Sequence, residues 1–139
     1  MCIGFNYLII NHDDKPYYDE KNSGHGDLIK SRNLKDIELF QRNFVKIEVI
    51  PIGSLSSINI SDWHYRVDEL STLPGWYEET KEEWQTKVID CVIATIKKIN
   101  KTSNYGGSLD LRGTQIKDLG KLTSIGGSLD LRGTQIKDL

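Results

Sequence analysis

Three kinds of hydrophobic spacing follow one another along the chain. Residues 3–10, IGFNYLII, form an almost unbroken apolar run and predict a buried strand. A polar turn at residues 11–14 leads into Pro16-Tyr17-Tyr18, which predicts a hairpin return. Leu28 and Ile29 mark the inward side of a short helix over residues 27–32, with Asn22 or Ser23 as its cap. In residues 44–50, FVKIEVI, Phe44, Val45, Ile47 and Val49 stand against Lys46 and Glu48, the pattern of a strand, and Pro51 and Gly53 end it. Residues 54–60 are serine-rich and predict a loop, after which Trp63, Tyr65 and Val67 alternate with His64, Arg66 and Asp68 as in a half-buried strand.

From Trp84 onward the period lengthens. Trp84, Val88, Val92, Ile96 and Ile99 make one apolar helical stripe, with Cys91 and Thr95 beside it. Thr80-Lys81-Glu82-Glu83 is a capping-box pattern, in which Thr80 and Glu83 satisfy each other's free backbone donors. Glutamates crowd the first turn and Lys97, Lys98 and Lys101 the last, as the helix dipole favours. Hairpin, helix, strand, strand and helix predict an α+β domain over residues 1–104, a small antiparallel or mixed sheet with the long helix packed across it.

The third spacing is a repeat. GGSLDLRGTQIKDL occupies residues 106–119 and again 126–139, identical at all 14 positions and offset by 20. Leu109 and Leu111 are two apart, as on one face of a strand, while Ile116, Leu119, Leu122 and Ile125 are three apart, as in a loose 3₁₀-like return. Gly113 and the pair Gly126-Gly127 supply corners. The frame resembles leucine-rich repeats, L-x-x-L-x-L-x-x-N-x-L, with Gly106 in place of the first leucine and Thr114 in place of the asparagine. A short β-helix-like solenoid is the alternative reading. Both imply a two-coil parallel β solenoid over residues 105–139, docked on the first domain through Tyr105 because two coils are too few to stand alone. Its far end is left apolar and strand-edged, which implies either local cover or a homo-oligomer or partner seated there.

Charge and cysteine content narrow the function. The formal net charge is −2; residues 1–104 carry 13 basic and 16 acidic side chains, and residues 105–139 carry 5 and 4. Neither part has the basic surplus that phosphate contacts demand, so direct nucleic-acid binding is disfavoured. No apolar run is long enough to span a membrane. Cys2 and Cys91 form no paired motif, which fits a reducing cytosol better than a disulfide framework.

Little in the sequence announces catalysis or a cofactor. His12, His25 and His64 have no metal-ligand spacing to one another or to a cysteine, and Gly106-Gly107 opens no phosphate loop. Gly24-His25-Gly26 is the one place where a base is set in a permissive backbone, so a small hydrolase or nuclease using His25 and a carboxylate is the catalytic alternative. The leading expectation is a non-catalytic protein-binding module with two surfaces. One is the repeat face, Ser108, Asp110, Arg112, Ser128, Asp130 and Arg132, the residues that leucine-rich repeats turn toward partners. The other is Trp76, Tyr77, Glu78, Glu79, Glu82 and Glu83, where an aromatic pair adjoins the densest acidic cluster.

The order FVKIEVIP, then W-x-Y-R-V-D-E over residues 63–69, then Leu73-Pro74-Gly75-Trp76-Tyr77 and the long helix resembles an uncharacterised domain of small phage and prophage proteins, sometimes followed by repeats of this type. The resemblance carries no activity. It implies a product acting in the cytoplasm of a bacterial host, as an inhibitor of a host defence or regulatory protein, of the anti-CRISPR kind.

Overall fold

All six residues of β1 (Phe5–Ile10) are buried, which requires cover on both faces of the strand. The structure, a computed structural model, describes residues 3–21, 24–34, 43–68 and 73–136. The expected caps Asn22 and Ser23, and the last residue Leu139, lie outside the described residues. β1 pairs antiparallel with β2 (Phe44–Pro51), and β2 with β3 (Trp63–Val67), giving a sheet of order β1-β2-β3. Pro16-Tyr17-Tyr18 makes one bridge to β1, with the amides of Leu8 and Tyr17 donating to each other's carbonyls, and no further strand.

Each face of the sheet has its own cover. Leu8, Ile10 and Phe44 meet Leu28 of α1 (His25–Ser31) in a small cluster. On the other face Phe5, Tyr7, Ile9, Val45, Ile47, Val49 and Trp63 meet the stripe of α3 (Lys81–Thr102), where Trp84, Val88, Val92, Ile96 and Ile99 are all buried. Removing each such aliphatic side chain from water contributes roughly 1.5–3 kcal/mol. Together these elements form a small α+β fold.

The capping box does not form. A short helix, α2 (Gly75–Glu78), runs into α3, and the hydroxyl of Thr80 donates to the Trp76 carbonyl instead of accepting from the new helix. At the other end Ser103 turns the chain out of α3 in the left-handed conformation, at φ 59°.

The expected solenoid is overturned. The strands of the two repeats are β4 (Asn104–Tyr105) with β6 (Ser124–Ile125) and β5 (Leu109–Asp110) with β7 (Leu129–Asp130), parallel two-stranded pairs two residues long. The physical reason is where the leucines go. Leu109, Leu111, Ile116 and Leu122 join the core cluster of the sheet and α3 and enclose no core of their own. The loop after β2 holds them there: the Leu55 amide donates to the Asp118 carbonyl, the Lys117 amide to that of Gly53, and the Leu55 side chain is fully buried. The Gly4 amide, at φ +73°, donates to the Asp110 carbonyl from the other side. Close stacking needs the glycines, since a Cβ on Gly126 would run into the Gly106 backbone. No helix among the described residues is long and apolar enough to cross a membrane.

Candidate functional site

The offset of 20 becomes a ladder of charges. Register places Asp110 beside Asp130, and Arg112 bridges them, donating from Nη2 to Asp110 at 2.6 Å and standing with Nε 3.3 Å from Asp130. Arg132 repeats half of that arrangement: its Nη2 lies 2.7 Å from Asp130, and its side chain is 76% exposed. Arg132 above all holds the Asp130 carboxyl down to about 2. Ser108 and Ser128 are exposed, with the Ser128 amide donating to the Ser108 hydroxyl. The structure stacks Asp110 on Asp130 and ties both to Arg112, as the offset predicts, with Ser108 beside Ser128 at the start of the ladder.

Identical residues meet different fates at the edge of this ladder. The amides of Leu109, Leu111 and Gly113 donate to the carbonyls of Ser128, Asp130 and Arg132, each at 2.9 Å. Their counterparts Leu129, Leu131 and Gly133 point the same way along the stack, to the outside, and have no backbone acceptor among the described residues. Leu109, Leu111 and Ile116 are buried, whereas Leu129, Leu131 and Ile136 are half-buried. Leu119, Leu122, Ile125 and Leu129 line an apolar groove beside this edge.

The second expected surface is divided by the fold. Tyr77 is buried with its hydroxyl 2.8 Å from that of Tyr65, and Trp76 is half-buried and packed against the core, edge-on to Tyr77. Neither aromatic stands out as a surface anchor. Glu78, Glu79, Glu82 and Glu83 are exposed around the α2–α3 junction, in a shallow polar depression.

A polar cluster that spacing did not reveal lies on the α1 side of the sheet. Glu48 is completely buried, although its place in FVKIEVI predicts a solvated strand face. One carboxylate oxygen accepts from the Ile3 amide at 2.8 Å, and the other is gripped by Arg66, whose Nε lies at 3.0 Å. His25 is also buried: it is the first residue of α1, not a flexible spot before it. Its Nε2 lies 2.8 Å from the Ile47 carbonyl and its Nδ1 lies 3.4 Å from Asp68. A carbonyl only accepts, so Nε2 carries the proton. His12 sits in a turn at φ 73°, and His64 is exposed on β3, where it lines a shallow depression with Ile3 and Arg66.

The sequence signals for the cluster were His25 between two glycines, a lone glutamate in an apolar strand and an asparagine, Asn6, in another. Comparison with protein-family models, with curated proteins and with solved structures finds no match to this chain.

Proposed function

We propose that the protein is a non-catalytic protein–protein interaction module whose contact surface is the outer edge of the second repeat. One observation carries this reading. The same Leu-Asp-Leu-Arg-Gly sequence that is paired and buried in the first repeat keeps outward amides and half-buried leucines in the second. An extended segment of another protein laid along that edge supplies main-chain acceptors, and its alternate side chains enter the apolar groove. The charges specify the segment further. Arg112 bridges two stacked carboxylates, while Arg132 grips one and is otherwise in solvent. A partner strand of apolar–acidic–apolar pattern places its carboxylate beside Asp130, within reach of Arg132, much as the chain's own Leu-Asp-Leu does one step earlier. The resemblance to phage and prophage proteins supports a bacterial cytoplasm as the setting and a host defence or regulatory protein as the target. Catalysis by His25 has less support, because Nε2 is committed to Ile47 and the ring is 3% exposed.

The test uses the full chain and a Leu131→Lys variant as parallel baits in bacterial lysate, with masses of both measured in solution. The expected result is a protein retained by the wild type, lost with Leu131→Lys, and displaced by a peptide containing Ser-Leu-Asp-Leu-Arg-Gly. Retention of the same protein by Leu131→Lys removes the edge from the account. A wild-type dimer abolished by Leu131→Lys makes a second copy the occupant and overturns the reading of a different partner.

A further inference from the structure

His25, Glu48 and Asp68 come from three separate elements, α1, β2 and the residue after β3, and each offers a ligand atom within 4.8 Å of the others. Ligands held at roughly 2.0–2.2 Å around one small divalent cation stand at most about 4.4 Å apart, so the three side chains need to close in only slightly to share one. With the proton of the neutral ring on Nε2, the lone pair is on Nδ1, the nitrogen that faces Asp68. A histidine that ligates a metal through one nitrogen commonly donates the other N–H to a backbone carbonyl, which fixes the ring, and Ile47 accepts here in that way. Arg66 supplies one positive charge to this cluster, on the Glu48 side, while Nδ1 of His25 and Asp68 face each other at 3.4 Å.

A second observation points to the same place. Asn6 lies directly opposite Glu48 in the β1–β2 register, on the same face of the sheet, and is 3% exposed. Its Oδ1 has no hydrogen-bond partner among the described residues. A buried amide oxygen without a donor is unfavourable, and a cation is one way to satisfy it. A cleft lined by Gly4, Asn6, Gly24, Asp110 and Asp130 reaches Asn6 and the residue before His25, while Asp68 is itself partly exposed. Asp68 is thus the one of the three ligands that solvent reaches directly.

We infer that His25, Glu48 and Asp68, with Asn6 beside them, form a site for one first-row divalent cation, Mn(II) or Zn(II). One imidazole nitrogen with carboxylate and amide oxygens is a mixed donor set suited to these ions, and it lacks the thiolates of a closed zinc site. Arg66 is the natural competitor: it neutralises Glu48 in the ion's absence, and because its side chain is 47% exposed it can swing toward solvent. The site shares no ligand with the repeat edge, although Asp110 and Asp130 of the repeat face line the neighbouring cleft.

The experiment titrates metal-free full-length protein with Mn(II), followed by electron paramagnetic resonance, and with Zn(II), followed by calorimetry. The His25 ring nitrogens are monitored by ¹⁵N NMR. One ion per chain is expected, with Asp68→Asn weakening binding at least about tenfold and Arg66→Met strengthening it; His25→Gln abolishes it if that variant folds. Asp68 is partly exposed, so its variant keeps the test informative even if the His25 variant unfolds. Absence of binding at millimolar metal, with both ring nitrogens protonated, makes the resident cation a proton and overturns the site. Binding unchanged by Asp68→Asn overturns it equally, since the ion then sits elsewhere.

Discussion

Leu111→Ala destabilises the protein by about 3 kcal/mol, while Leu131→Ala, the same substitution in the same five-residue context, costs less than about 1 kcal/mol. Leu111 is fully buried in the core shared with the sheet and α3, so its truncation loses transfer free energy and leaves a cavity beneath the repeat. Leu131 is half-buried at the outer edge, where water fills the space that its isopropyl group vacates. Identical neighbours remove local propensity from the comparison, leaving position in the stack as the variable. Urea unfolding of the two variants measures it. Equal losses mean that both repeats are held alike and that the second edge is not open.

The second large effect falls on the buried carboxylate. In metal-free buffer at neutral pH, Arg66→Met costs about 3 kcal/mol, the low end of the usual range for breaking a buried ion pair. The side chain of Glu48 is fully enclosed, and without Arg66 its remaining described partner is the Ile3 amide. The loss stays at the low end because the Arg66 side chain is half exposed and already shares its charge with solvent. Thermal unfolding of wild type and variant reads the difference. Excess Mn(II) or Zn(II) should return part of it, since the ion replaces the missing positive charge. A loss below about 0.5 kcal/mol shows that water reaches Glu48 and that the cluster is not enclosed.

Much of the fold was legible because period and element coincide. FVKIEVI, the Trp63-Tyr65-Val67 alternation and the stripe from Trp84 to Ile99 lie where β2, β3 and α3 are found. The failures have physical causes. Thr80 has the residue type of a cap, but α2 directly before it supplies a carbonyl that takes the hydroxyl. The repeat frame was legible as two stacked units, yet their leucines went to a core already present, so no solenoid followed. The pair Trp76-Tyr77 looks like an exposed anchor in sequence, and the Tyr65 hydroxyl and the core draw it inward.

The stacking of the repeat charges was legible, since an exact offset fixes which residues lie side by side. The asymmetry of the repeats was legible only in outline, as a first coil docked through Tyr105 and a second with an apolar, strand-edged end. That Leu109 is covered and Leu129 is not depends on the loop at residues 53–57 and on Gly4, which clamp one repeat from far along the chain. The cluster of His25, Glu48 and Asp68 is hidden for the same reason. Residues about twenty positions apart carry no spacing signal, and only the antiparallel register with α1 laid over it brings them together.

Amide hydrogen exchange in the free full-length protein tests the central claim most directly. The account predicts slow exchange at Leu109, Leu111 and Gly113, and exchange at Leu129, Leu131 and Gly133 faster by orders of magnitude, because the first three amides are paired and the second three face outward. Equal protection of the two sets contradicts it: the edge would then already be covered, and the contact surface proposed for this protein would not exist.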